Sequence, residues 1–117
     1  MTWLFIFVGG GLGSCARVLL TRTNIYPSSS WPWATFIANI VACLSLGWIL
    51  KNYNNGQLSE NHKLLLASGF CGGLSTFSTF AYELYGFVQT DQLIVGCSYI
   101  LISLILGSFA IWVGMFV

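Results

Sequence analysis

Long apolar runs separated by short polar connections make up most of this chain of 117 residues. The first run covers residues 3–21, and a polar connection that contains Pro27 follows it. The second run covers 32–50. Trp31, a residue type typical of a membrane interface, comes directly before it, and Pro32, typical of a helix start, is its first residue. A membrane-spanning helix needs about 20 apolar residues, so each run predicts one span.

Two further apolar runs follow a polar segment, 52–63, that we predict to be a loop. The third run covers 64–88 and the fourth covers 92–116. Glycines crowd the middle of the third run, and glycine disfavours a helix interior. We therefore predict that helix 3 is broken near Gly72 and Gly73. A kinked helix with its glycines at a tight packing contact is the alternative.

The composition supports a membrane protein, because 56% of the residues are hydrophobic and only 6% are charged. A soluble domain is about a quarter charged. Disordered chains need more charge, and nucleic-acid-binding proteins need a basic surface. We predict one all-α membrane domain over residues 1–117, with four transmembrane helices.

The basic residues show no bias between the two sides of the predicted bundle. Lys51 and Lys63 flank the middle loop on one side, and Arg22 lies on the other with Arg17 close by. Orientation follows the distribution of Lys and Arg, so an even distribution permits insertion either way up. Dual topology and an antiparallel dimer are therefore hypotheses.

The titratable side chains show no catalytic or metal-ligand spacing. His62 lies in the predicted loop, and the chain has neither a Ser/His/Asp set nor paired carboxylates. The four cysteines lack CxxC or Cys/His spacing, and we interpret them as small packing residues. We predict that the protein is not an enzyme.

Residues 69–83 combine glycines, hydroxyls and aromatic rings. Carbonyls freed at a helix break survive in hydrocarbon only when they are buried in protein or bound to something, and half-helix ends beside a break attract anions. Phe77 and Phe80 share one face of a helix, and Thr76 and Thr79 share a neighbouring face. Ring edges are electropositive and hydroxyls donate, so these residues are candidates for an anion path. Ordinary packing is the alternative.

Other polar side chains also fall within the predicted spans and need partners there. Arg17 either reaches an interface or makes an aqueous mouth positive. Asn39 either bonds another helix or donates in a conduction path, and Glu83 either caps or pairs. Tyr99 and Ser103 are four residues apart on helix 4 and so share one face.

Three motifs carry a family resemblance. They are GGGLGSCAR at 9–17, the spacing of Thr35, Asn39 and Gly47, and GFCGGLSTFSTF at 69–80. Together they resemble the Fluc/CrcB fluoride channels of microbial membranes over nearly the whole chain. The resemblance implies a passive fluoride-selective channel in the cell membrane that exports cytoplasmic fluoride and relieves its toxicity.

The resemblance also implies an antiparallel, dual-topology dimer with two fluoride pathways. By position, it implies ring edges of two phenylalanines facing fluoride, a pore-facing amide, a vestibule arginine and a hydroxyl track on helix 4. These residues are Phe77, Phe80, Asn39, Arg17, Tyr99 and Ser103, and Thr76 and Thr79 complete the predicted pathway as candidates from the helix faces alone. The backbone carbonyls of Gly72 and Ser75 from both subunits are implied as ligands of a structural sodium ion.

Several positions depart from the family pattern. Ser75 replaces a usual Thr, and the triplet 42–44, which is Ala-Cys-Leu, replaces Gly-Ser-Phe. Gly107 occupies the third position of the hydroxyl track, with Ser108 one place off. These departures keep open an obligate heteromer with a paralogous subunit. A proton-coupled small multidrug transporter is a weaker alternative, because helix 1 carries Arg17 and no acid.

Overall fold

The computed structural model describes residues 1–23 and 30–117, and within these ranges every regular element is a helix. The connection predicted around Pro27 lies outside the described residues. Helix α1 is Thr2–Arg22, α2 is Trp33–Asn54, α4 is Phe77–Gln89 and α5 is Leu93–Phe116. Helix α3, residues 60–74, joins three pieces without a gap: Glu60–Lys63, the π-helical Leu64–Cys71, and Gly72–Leu74.

Four helical segments among the described residues are long and apolar enough to cross a membrane. They are α1, α2, the pair α3 and α4 that together form span 3, and α5. The prediction of an all-helical chain with four spans is confirmed. Hydropathy alone was sufficient, because an unpaired backbone in hydrocarbon is so costly that a long apolar run must be helical.

Span 3 is interrupted, but at Ser75 and Thr76 instead of at the predicted glycines. Ser75 (φ −73°, ψ 155°) and Thr76 (φ −151°, ψ 124°) are extended. Gly72 remains right-handed helical (φ −63°, ψ −35°). The Thr76 hydroxyl then accepts the N–H of Thr79 at 3.3 Å and caps α4. Thr76 is therefore an N-cap, a position that threonine favours.

The glycines of α3 serve close packing against α1. A Cβ at Gly9 would lie 2.0 Å from a backbone oxygen of α3, and one at Gly13 would lie 2.2 Å from another. A Cβ at Gly73 would lie 2.3 Å from a backbone oxygen of α1, and one at Gly69 would lie 2.9 Å from the Cα of Gly9. We call these four residues the glycine seam. Membrane helices associate through such small-residue contacts, so the tight-packing alternative is correct for Gly69 and Gly73.

Helices α2 and α5 pack in the same way at their distal ends. A Cβ at Gly47 would lie 2.2 Å from the Ile111 carbonyl oxygen, and one at Gly114 would lie 2.2 Å from the Leu44 carbonyl oxygen. The best-buried apolar cluster lies between α2 and α3, where Ala38 and Cys71 are among its members. These contacts hold α2 between α3 and α5.

Both ends of the segment predicted as a loop, 52–63, are helical. Helix α2 continues to Asn54, and α3 begins at Glu60 with Ser59 as its N-cap. Gly56 makes the turn with φ of +73°, which glycine adopts without strain. The Tyr53 hydroxyl donates to Glu60 at 2.5 Å and ties the two ends together. Polarity alone therefore overestimated the loop.

Candidate functional site

A polar groove lies beside the break, between α2, α4 and α5. Its volume is about 270 Å³. The groove is lined by Asn39, Ser75, Thr76, Phe77, Phe80, Ser103 and Leu104. Five of the eight predicted pathway residues thus meet in one place, although they come from three helices.

Asn39 of α2 forms hydrogen bonds with the backbone at the break in span 3. Its Oδ1 accepts the backbone N–H of Thr76 at 2.8 Å, and its Nδ2 donates to the Thr76 carbonyl at 3.4 Å. In an unbroken α-helix the Thr76 N–H would bond to the carbonyl of Gly72. The Asn39 amide therefore replaces a helical hydrogen bond and releases that carbonyl. Both functions considered for Asn39 are compatible with this geometry, because it bonds another helix and also lines the groove.

Aromatic rings form one wall of the groove. The ring centroids of Phe77 and Phe80 are 6.4 Å apart, and the Phe80 ring packs at 4.8 Å on Tyr99. Tyr99 is completely buried, so it provides a fixed support for Phe80. Phe77 is 80% exposed on a single chain. The groove is thus backed by a buried side chain at Phe80 and uncovered at Phe77.

Glu83 of α4 has a hydrogen bond on each carboxyl oxygen. Thr35 donates to Oε1 at 2.5 Å, and the Tyr99 hydroxyl donates to Oε2 at 2.9 Å. The structure thus places the Tyr99 hydroxyl on Glu83 and the Tyr99 ring on Phe80. Glu83 and Thr35 were not among the predicted pathway residues. Two features of the sequence could have indicated them: Glu83 is a lone carboxylate within a span, and Thr35 lies one helical turn before Asn39.

Ser103 has a hydroxyl with no protein partner among the described residues. Its Oγ is shielded from solvent, and Ser103 lines the groove. A buried polar group left without a hydrogen bond costs about 1–3 kcal/mol, so such groups mark places where a ligand or water is bound. The groove therefore offers one free donor beside the aromatic wall.

The three remaining predicted pathway residues do not line the groove: Tyr99, which supports Phe80 from behind, Thr79 and Arg17. The Thr79 hydroxyl accepts from the Thr76 hydroxyl at 3.2 Å, so it supports the cap of α4. Arg17 lies on α1 and is not among the described residues that line the groove.

A second cavity of about 270 Å³ opens at the far end of α4. It is lined by Ser30, Pro32, Glu83, Gly86, Phe87, Thr90 and Gln92. Phe80 lines the groove, Glu83 lines this second cavity, and Tyr99 contacts both residues. The aromatic and carboxyl contacts therefore separate two polar spaces along span 3.

Comparison with known proteins identifies the family. Residues 4–115 match the family described as CrcB-like protein, Camphor Resistance (CrcB). The chain belongs to the CrcB-like family. A relative from Flavobacterium psychrophilum, named fluoride-specific ion channel FluC, is 39% identical over 99% of this chain and 95% of its own length. The resemblance inferred from the three motifs is confirmed.

Other CrcB-like relatives are similar over comparable lengths. Fluoride-specific ion channel FluC 2 from Rhodococcus jostii is 40% identical over 97% of this chain and 96% of its own length. A relative named FluC from Desulfotalea psychrophila is 36% identical over 96% of this chain and 88% of its own length. This is a family of ion channels and not of enzymes. With four helical segments that are long and apolar enough to cross a membrane among its described residues, the chain is a multi-pass membrane protein.

Proposed function

We propose that this chain forms a passive channel selective for fluoride. The observation that carries the proposal is the groove beside the break. It is lined by the rings of Phe77 and Phe80, by Asn39 and by Ser103, whose hydroxyl has no partner in the described part of the chain. The names of its CrcB-like relatives, fluoride-specific ion channels, support the same conclusion independently.

The chemistry of the groove suits a small, strongly hydrated anion. A pore must replace the water around such an ion with donors, and it must bind weakly enough to release it. Hydroxyl and amide groups donate, and ring edges carry positive partial charge. No Lys or Arg is among the described residues that line the groove, so no full positive charge holds the anion there.

The proposal includes a second copy in the opposite orientation. Phe77 is 80% exposed although it lines the groove, so a single chain leaves that side of the pathway uncovered. The even distribution of Lys and Arg between the two sides permits antiparallel insertion. An antiparallel dimer would have two equivalent grooves, each covered by the other copy.

We also propose a structural sodium ion between the two breaks, held by the carbonyls of Gly72 and Ser75 from both copies. Thr76 donates its N–H to Asn39, so the Gly72 carbonyl is without its helical donor. Carbonyl oxygens suit hard cations, and here the bound ion would join the two chains. Ion replacement with an anomalous scatterer tests the site, and a position occupied only by water would count against it.

In the cell, such a channel would lie in the plasma membrane. A passive pore lets fluoride follow its electrochemical gradient, so fluoride that accumulates in the cytoplasm would leave. Growth of a fluoride-sensitive host that expresses this chain tests this role. Protection that disappears in a Phe80→Ile variant is the expected result.

A heteromeric channel is the second candidate, and it rests on the departures at 42–44 and Gly107. A numbered relative, FluC 2, is consistent with more than one such chain in a single organism. The structure does not support the multidrug-transporter alternative, which needs a free carboxylate on the first helix. The carboxylate of Glu83 lies on α4, and both its oxygens accept hydrogen bonds.

The decisive experiment is fluoride efflux from liposomes that contain only the purified chain, with chloride efflux measured in parallel. Fast fluoride release without chloride release is expected. Release of both ions would contradict selectivity. No release from a folded dimer would favour the heteromer, which co-expression with a second subunit would then test.

A further inference from the structure

One face of α5 presents Tyr99, Ser103 and Gly107 at successive turns. The first two carry hydroxyls, whereas Gly107 has no side chain. The space above Gly107 is nevertheless not empty, because a Cβ placed there would lie 3.6 Å from the Sγ of Cys43. The thiol of α2 therefore covers the position where the α5 row lacks a side chain.

Cys43 lies one turn beyond Asn39 on α2, just as Gly107 lies one turn beyond Ser103 on α5. Asn39 and Ser103 both line the groove. Helices α2 and α5 remain in contact as far as Gly47, and one turn beyond Asn39 and Ser103 the residues in contact are Cys43 and Gly107. The two residue pairs therefore follow one another along the same helix interface.

We propose that the Cys43 thiol continues the anion pathway beyond Ser103, in place of a side-chain donor at position 107. This inference rests on the proposed fluoride channel. A separate observation supports it: the Ser103 oxygen is shielded from solvent and has no partner in the described part of the chain. An anion that takes a hydrogen bond from Ser103 needs a further donor along this row, and the thiol is the polar group placed there.

A thiol suits this position for a chemical reason. An S–H group is a weak donor, so it offers an anion a step without holding it strongly. The competing explanation is that Cys43 merely fills the volume left by glycine, since free cysteine also behaves as a small hydrophobe. The two explanations differ in whether a donor or only a volume is required.

Four variants separate donor from volume in the liposome efflux assay. Cys43→Ala should lower fluoride flux about tenfold, the effect of losing one donor to an anion. Cys43→Ser, which keeps a donor of similar size, should conduct at least as fast as the unmodified chain. Cys43→Ala/Gly107→Ser should recover flux to within about twofold, whereas Cys43→Ala/Gly107→Ala should stay low. Gly107 tolerates a Cβ at ordinary van der Waals distance, so both double variants are expected to fold.

Thermal unfolding and gel filtration of each variant provide the stability control. Equal recovery by Gly107→Ala and Gly107→Ser would show that Cys43 is only a filler and overturn the inference. Unchanged flux in Cys43→Ala would overturn it too, while leaving the fluoride channel itself intact. If the unmodified chain released no fluoride from liposomes, the proposal of a self-sufficient channel would be overturned, and this inference with it.

Discussion

The two halves of span 3 are held in the bundle by different means. Before the break, α3 rests on α1 through the glycine seam, where backbone meets backbone at Gly9, Gly13, Gly69 and Gly73. After the break, α4 is held by polar and aromatic side chains. These contacts are Asn39 with Thr76, Thr35 and Tyr99 with Glu83, and Tyr99 with Phe80.

This difference explains where the candidate pathway lies. Backbone packing along the seam leaves no space for an ion, because added atoms would overlap. Side-chain contacts hold α4 at discrete points, and one face of the helix, with Phe77, stays uncovered. The break at Ser75 and Thr76 is the boundary between the two modes, and the groove begins there.

The largest expected effect comes from the glycine seam. Gly13→Ala would place a Cβ 2.2 Å from a backbone oxygen of α3, whereas the same change at Gly11 meets nothing within 4 Å. Overpacking of this kind costs about 3 kcal/mol, so Gly13→Ala should yield little folded protein. Gel filtration and thermal unfolding measure the result. Equal yields of the Gly13 and Gly11 variants would contradict the seam.

The aromatic wall should affect conduction without affecting the fold. Phe77→Ile or Phe80→Ile removes a ring edge from the groove, and fluoride efflux should be abolished or sharply reduced while the assembled protein remains. Phe109→Ile is a matched control, because Phe109 is an exposed residue of α5. Wild-type efflux in both groove variants would reject the pathway assignment.

The hydrogen bonds between Asn39 and the backbone of Thr76 should contribute to both stability and conduction. Asn39→Leu leaves the Thr76 N–H without its partner, which should lower the free energy of unfolding by about 2 kcal/mol and also reduce fluoride efflux. Asn52→Leu on the same helix is the control, because the Asn52 amide donates to the Trp48 carbonyl of its own helix at 2.8 Å and bonds to no other helix among the described residues. If both variants unfold alike, Asn39 does not stabilise the break.

The smallest effect is expected at the support of Phe80. Tyr99→Phe keeps the ring that packs on Phe80 but removes the hydrogen bond to Glu83. A loss of about 1 kcal/mol in stability and a few-fold change in efflux should follow. Tyr82→Phe, at an exposed hydroxyl of α4, should change neither. Abolished efflux in Tyr99→Phe would mean that the hydroxyl itself contacts the ion.

The sequence by itself was sufficient for the four spans, the helical class and the family. Apolar run length determines the spans, because transfer into hydrocarbon depends mainly on which residues a segment contains. The sequence also indicated most of the residues that line the groove, since Phe77 and Phe80 share a helical face and Asn39 is polar within a span. These properties belong to one residue or to one helix.

Only the tertiary structure decided where span 3 breaks and which polar groups are paired. The break falls at Thr76 because an amide on another helix takes its N–H, and no local propensity reports such a partner. Gly73 has the same conformational freedom in a turn as in a tight contact, so its role depends on how close α1 lies. The partners of Glu83 and the thiol over Gly107 likewise come from residues distant in the chain. Sequence periodicity reports which face a side chain occupies, but the neighbour across that face is determined by helix packing.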